Sequence, residues 1–361
     1  MRYLRVVITL IAAVVLGSFS YASQPTIEEV LKQLEAKNID KAEELARQLP
    51  YEERIKLNII LLLQEGRKAE AQKLFSKISE KNKGVLENVI YIPEGSYAIV
   101  VSKSRQRLKV IKFVNDLPVE VLELRSITGK RPGDKLKEGD QRTPNGVYFP
   151  VKYLTKLAPM YGVGAFPLNY PNILDRKFLN KTGNGIWIHA SDKPDRPYFS
   201  SNGCVVLNNE DFNKLKRFIK LKETPVVIVE DFEYTDAGSF KEKQMALIYF
   251  VYQWKRAWEE TAKGNLDNYF FLYSERFVSK KGNKEQWMRY KRRISKLKDW
   301  IKIDIKNLSI LKDGRMLDFG NIYVATFDMN YRSNNYNFKG KKILYIIRED
   351  GKWKILAEET L

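Results

Sequence analysis

The chain predicts a multidomain α+β protein: a helical N-terminal module, a β-rich middle domain, and a third domain in which helices precede antiparallel strands. Three observations lead there. Apolar residues repeat at helical spacing up to about residue 86, the period shortens to that of strands from Ile90, and near 235–239 it returns to helix before strands resume. The 361 residues suit two or three domains of ordinary size, and 44% hydrophobic composition is that of globular cores.

The N-terminus reads as a secretory signal over residues 1–22. Arg2 and Arg5 precede the apolar run 6–16, and Ser20-Tyr21-Ala22 places small residues where a signal peptidase reads. A spanning helix needs ~20 apolar residues, so export to the periplasm is expected, with an uncleaved membrane anchor as the minor alternative. Within 23–88, Ile27, Val30, Leu31 and Leu34 form one helical stripe, and Ala42, Leu45, Ala46 and Leu49 a second. Pro50 interrupts the pattern, and 55–63 and 69–78 continue it. Two readings of this module weigh equally: a dimerisation or docking unit giving a homodimer, or an extension that covers the next domain.

Residues 89–235 are expected to form the β-rich domain, with short strands at 97–101, 108–111, 119–124 and 146–149 between polar and Gly/Pro turns. The loop after Gly129-Lys130 is not a phosphate-binding loop, because Leu124 occupies the place of the required glycine and Arg131 that of Ser or Thr. Residues 152–185 have no period and are rich in Tyr, Pro, Asn and Gly, as lids and binding loops are. A helix capped by Asn208 or Asn209, with Glu210 and Asp211 in its first turn, presents Phe212, Leu215, Phe218 and Ile219 on one face. The strand 224–229 closes the domain.

The third domain, 240–361, opens with a helix at 245–260 carrying Leu247, Val251, Trp254 and Trp258 on one stripe and stopping at Gly264. Further helices are expected at 266–277 and 284–297. Ile301, Ile303 and Ile305 then alternate with polar residues, and Asp350-Gly351 is a hairpin turn between strands 343–347 and 353–356. Trp254, Trp258 and Trp353 are read as core residues, since aromatics dominate cores. The stretch 280–298, with nine basic residues and one acid, is read as a solvated helix face; the competing reading is a contact for an anionic envelope polymer.

Formal net charge is +19, and loss of 1–22, with two arginines and no acid, leaves +17. Such an excess attracts anionic partners. For an exported chain those are envelope polymers, wall peptides or headgroups, and nucleic acid is not expected. A single cysteine excludes an intramolecular disulfide.

That cysteine, Cys204, and the only histidine, His189, mark the chemistry. A thiol attacks as thiolate, and an imidazole is its usual activator. Strand alternation sends Ile186 and Ile188 to one face and Trp187 and His189 to the other. Cys204 follows Ser201-Asn202-Gly203, and Gly203 lets the backbone approach a substrate closely. One histidine and one cysteine cannot make the usual zinc cluster, so neither a metal nor a cofactor is expected.

The string Ile186-Trp187-Ile188-His189, a variable loop, then Ser201-Asn202-Gly203-Cys204 resembles the active-site motif of the L,D-transpeptidase (YkuD-like) catalytic domain. Upstream matches are Thr128-Gly129-Lys130, Gly133-Asp134-Lys135, Gly139-Asp140, Thr143-Pro144, Gly146-Val147-Tyr148, Tyr161-Gly162 and 165–171, so the resemblance spans roughly 95–231. Where that family commonly has a histidine before Gly-Cys and an arginine or asparagine two places after the cysteine, this chain has Asn202 and Val206. The C-terminal pattern resembles an NTF2-like cone, and the three-part layout is similar to that of the cell-shape-determining L,D-carboxypeptidases.

The resemblance implies acyl transfer on peptidoglycan stem peptides. Cys204 is the expected nucleophile and His189 the base. The family implies the carbonyl of Gly203 as the group that orients the imidazole, while backbone N–H groups of Gly203 and Cys204 are the candidate oxyanion donors. Ser201, Asn202, Trp187 and Tyr161 are the expected substrate contacts, with Ser201 also fixing the loop. Water as acceptor makes an L,D-carboxypeptidase that trims tetrapeptides to tripeptides, and an amine makes an L,D-transpeptidase with 3→3 cross-links or protein attachment. A non-catalytic wall-binding protein is the remaining alternative.

Overall fold

The computed structural model describes residues 25–49, 51–72, 74, 84–114 and 116–361. The predicted signal and the end of the helix expected at 69–78 lie outside these residues. The module begins with α1 (Ile27–Glu35), α2 (Ile39–Gln48) and α3 (Tyr51–Gln64). Thr26 and Glu29 close a capping box at the start of α1, satisfying two N–H groups the helix cannot. Ile27, Val30, Leu31 and Leu34 are buried in one apolar cluster with Val110, Val119 and Val121 of the middle domain. The apolar stripe of α1 lies against the neighbouring sheet. Lys56 strengthens the contact by bridging Glu53 of its own helix and Glu120 of the sheet at 2.7 and 2.9 Å.

Two short strands follow, β1 (Val85–Leu86) and β2 (Val89–Tyr91). The middle domain contributes β3 (Tyr97–Ser102), β4 (Arg107–Val114), β5 (Leu117–Arg125), β6 (Gly146–Tyr148), β7 (Ala165–Pro167), β8 (Trp187–Ser191), β9 (Val205–Asn208), α4 (Asn209–Lys216) and β10 (Val226–Val229). Its larger sheet has the order β5-β4-β3-β10-β6, and the smaller one the order β7-β8-β9. The predicted strands are all present. The closing strand β10 lies centrally, parallel to β3 and antiparallel to β6, and all four of its residues are buried. Asn208 caps α4, accepting from Asp211 N–H at 2.7 Å.

Beyond β11 (Tyr234–Thr235), the third domain comprises α5 (Ala237–Glu260), α6 (Asp267–Phe271), β12 (Tyr273–Ser279), β13 (Gly282–Asn283), α7 (Lys284–Ser295), β14 (Ile301–Leu317), β15 (Gly320–Ser333), β16 (Tyr336–Glu349) and β17 (Lys352–Thr360). The expected hairpin joins β16 to β17, with Asp350 and Gly351 at φ +49° and +72°. Two expectations are corrected. The helix expected at 266–277 ends at Phe271, and Tyr273–Ser279 joins β17 in parallel. Tyr273 and Phe277 are four apart, so they share a face in a strand as well as in a helix, and the unfilled edge of β17 decides between them. Likewise β2, expected to open the middle domain, pairs with β14. Val89, Ile90 and Ile92 are buried in an apolar core that the third domain shares with one face of the middle domain's larger sheet.

Candidate active site

β8 and β9 run parallel, with Ile188 opposite Val205 and His189 opposite Val206. β7 flanks β8 on its other edge, placing Ala165 opposite His189. Ile186 and Ile188 are buried in the core, leaving Trp187 and His189 on the other face, as alternation requires. Cys204 immediately precedes β9, and its thiol lies against the Gly185 carbonyl and the Trp187 backbone at the start of β8. The candidate nucleophile therefore sits beside the strand that carries the only histidine.

The imidazole of His189 is 4% exposed, and its Nδ1 lies 2.7 Å from the carbonyl oxygen of Ala190. A carbonyl only accepts, so Nδ1 carries the proton and Nε2 keeps the lone pair. The orienting carbonyl is therefore that of Ala190, not of Gly203 as expected, because the neighbouring peptide on the same strand can turn its oxygen to the ring. Gly203 serves differently. It has φ +135°, and a Cβ there would stand 2.9 Å from the carbonyl oxygen of Arg142, so only glycine fits between that loop and the candidate nucleophile.

Ser201 holds this turn. Its hydroxyl donates to Cys204 O at 2.6 Å and accepts from Gly203 N–H at 3.1 Å. At 1% exposure the hydroxyl serves the loop rather than a substrate, and Gly203 N–H is already engaged. Of the two expected oxyanion donors, Cys204 N–H is the one left to consider. Asn202 is exposed at the tip of the turn. Tyr161 arrives from a 3₁₀ turn, Pro159–Tyr161, within the long aperiodic segment. Its ring centroid is 5.1 Å from that of Trp187 and 5.0 Å from that of His189, at 75° to the imidazole plane. Tyr161 and Trp187 thus wall the imidazole with half-buried rings.

Burial lowers His189 to about 4, and the positive charge of Arg196 acts in the same direction against the Ala190 hydrogen bond. Burial also raises the Cys204 thiol, opposed by hydrogen bonding at the Trp187 backbone and by the charges of Arg196 and Lys135. The thiol contacts Gly185 O at 3.6 Å. Both shifts favour the neutral forms, which suits proton abstraction during attack rather than a preformed ion pair. Alkylation of Cys204 by iodoacetamide is accordingly expected to be slow at pH 7 and to climb only above the ordinary thiol range of ~8.5. A fast rate persisting down to pH 5 would reveal a stored thiolate.

Sequence reasoning overlooked Ala190, Gly185, Arg142 and Arg196. Arg196 sits in the variable loop, where its Nε donates to Ser200 Oγ at 3.1 Å and its Nη2 to Ser200 O at 3.2 Å. With Met160 and Ser191 it lines a groove of about 650 Å³. Its position between the histidine and the cysteine was the available signal. Val206, where the resembled family has a polar residue, is fully buried.

A second cavity, of about 590 Å³, lies in the third domain between α7 and the sheet. Trp258, Trp287, Tyr290 and Tyr336 line it, together with Lys281, Lys291, Lys298 and Lys342. Lys291 is 5% exposed, with its ammonium 3.8 Å from the ring of Trp258 and 4.5 Å from that of Trp287; burial lowers it to about 7. The basic run 280–298 is therefore not simply a solvated face. Trp254 is a core residue as expected, at 0% exposure, whereas Trp258 faces the cavity.

Residues 96–228 match the L,D-transpeptidase catalytic domain. The middle domain is an L,D-transpeptidase catalytic domain. Residues 246–359 match the Cds6 C-terminal NTF2-like domain, so the cavity with Lys291 belongs to an NTF2-like domain. No curated protein matches the chain. Two solved structures are similar to it across both domains. Bd1075 of Bdellovibrio bacteriovorus is 28% identical, with a TM-score of 0.63 over 76% of this chain and 97% of that one. The helical cell shape determining protein Pgp2 of Campylobacter jejuni is 29% identical, with a TM-score of 0.64 over 77% of this chain and 97% of that one. The L,D-transpeptidase domain alone is too short to account for such coverage, so the likeness extends to the layout. Together the domain matches and these neighbours indicate an enzyme that acts on peptidoglycan.

Proposed function

We propose that the protein is an exported, cysteine-dependent L,D-carboxypeptidase that removes the terminal D-Ala of peptidoglycan tetrapeptides, leaving tripeptides. The observation that carries this reading is that the Cys204 thiol lies against the Gly185 and Trp187 backbone leading into His189 on β8, beside the Tyr161 ring, within an L,D-transpeptidase domain. His189 Nε2 takes the thiol proton as Cys204 Sγ adds to the carbonyl before D-Ala, with Cys204 N–H placed for the oxyanion. The imidazolium then protonates the departing amine of D-Ala, leaving a thioester. Water, deprotonated by the same imidazole, attacks the thioester and returns the proton to sulfur through His189.

Trimming rather than cross-linking is supported by likeness to a cell shape determining protein over both domains. The NTF2-like cavity adds a place for an anionic partner: four lysines and several aromatic rings suit the carboxylates and sugars of wall polymers. The competing reading, an L,D-transpeptidase making 3→3 cross-links, is favoured by the family of the catalytic domain itself. Purified protein incubated with defined tetrapeptide muropeptides and analysed by mass is expected to give the tripeptide and free D-Ala. A new dimer would replace trimming by cross-linking, and unchanged tetrapeptide would make the protein a binder.

A further inference from the structure

A cluster of buried charges crosses from the NTF2-like domain into the L,D-transpeptidase domain and has no part in the chemistry above. Arg315, on β14 and 3% exposed, donates through Nε and Nη2 to Asp313 at 2.7 and 2.6 Å. Its Nη1 donates to Asp175 of the other domain at 2.8 Å. Asp175 is fully buried and also accepts from Tyr148 OH at 3.1 Å and Asn172 N–H at 3.1 Å. The guanidinium lies so close to the backbone of β6 that a Cβ on Gly146 would be 3.0 Å from its Cζ. Asp313 in turn accepts from Val147 N–H at 3.2 Å.

From Asp175 the chain of contacts divides toward the two sides of Cys204. Along the backbone, Lys181 N–H donates to Asp175 O at 2.8 Å, and this segment ends at Gly185, whose carbonyl faces the thiol. Through side chains, Lys181 pairs with Asp175 at 3.2 Å and with Asp134 at 2.6 Å. Asp134 accepts from Asn145 N–H at 2.8 Å and so pins the loop whose Arg142 carbonyl abuts Gly203. Both loops that border the nucleophile thus trace back to Asp175, which is held by one guanidinium belonging to another domain. A buried arginine between two aspartates is geometrically fixed by its planar fork of donors, a geometry lysine cannot reproduce.

We propose that Arg315 is a positioning residue: from the NTF2-like domain it holds the two loops that flank Cys204, so the C-terminal domain is needed in cis for acyl transfer and not only for contact with the wall. This rests on Cys204 being the nucleophile. The test compares full-length wild type with Arg315→Lys, Arg315→Met and, as a control for stability alone, Leu344→Ala in the core of the NTF2-like domain. Each is measured for melting temperature, for kcat and KM on a tetrapeptide muropeptide, and for the rate at which iodoacetamide modifies Cys204. Both Arg315 variants are expected to lower kcat at least fivefold with KM within twofold. Alkylation should accelerate at least threefold, because release of the Gly185 and Arg142 loops uncovers the thiol. Leu344→Ala should lower the melting temperature with both rates within twofold of wild type. Should Arg315→Met not fold, Arg315→Lys decides alone. Wild-type kcat and alkylation in a folded Arg315 variant would reduce the cluster to interface packing and overturn the proposal. Should wild type trim no muropeptide, the carboxypeptidase reading fails, and the alkylation ratio still decides whether Arg315 positions the loops.

Discussion

Cys204→Ala is expected to lower turnover of a tetrapeptide muropeptide by ~10⁴-fold or more while leaving the fold unchanged. Without sulfur no thioester forms, and the remaining groups can only bind and polarise the substrate, which leaves a small residue of catalysis. The thiol is half-buried and lies against the backbone of Gly185 and Trp187, contacts that no other residue needs in order to fold, and alanine is the smaller side chain. Circular dichroism and melting temperature should match wild type, and binding of the muropeptide should survive. A Cys204→Ala protein that still releases D-Ala at more than a hundredth of the wild-type rate would remove the cysteine from the mechanism.

His189→Gln comes next in size, at ~10³-fold in kcat, within the range of general acid–base catalysis. Glutamine can still donate to Ala190 O, but it supplies no basic nitrogen toward the thiol. The wild-type pH profile gives an independent check. Protonation of Nε2 removes the base, and burial has lowered that event from the usual ~6.5 to about 4. Activity should therefore hold from neutral pH down to about 5 and fall only as pH drops through about 4, the direction set by a depressed imidazole. A profile already halved near pH 6.5 would show a solvated imidazole and contradict the buried geometry.

The arrangement also explains what each residue could disclose beforehand. His189 and Cys204 were legible because each is unique in the chain and each lies in a short motif whose alternation is local. Tyr161 and Trp187 likewise emerge beside the imidazole. Ser201 was legible as a loop-fixing residue, since its partners lie within three positions. The carbonyl that orients the ring was misassigned because any nearby peptide oxygen satisfies Nδ1, and only the path of β8 selects Ala190. For the helix expected at 266–277, spacing alone could not separate two conformations that bury the same rings.

The amino-acid order by itself determined the three-part α+β layout, the single thiol and single imidazole, and the strand that faces His189 away from the core. These follow from local periodicity and from the scarcity of reactive groups. Only the tertiary structure decided that burial shifts both reactive groups toward their neutral forms, that β2 serves the NTF2-like sheet, and that Arg315 reaches Asp175 across the domain contact. Protonation depends on how much water burial removes, and the other two depend on partners 140 or more residues away, about which a local pattern carries no information.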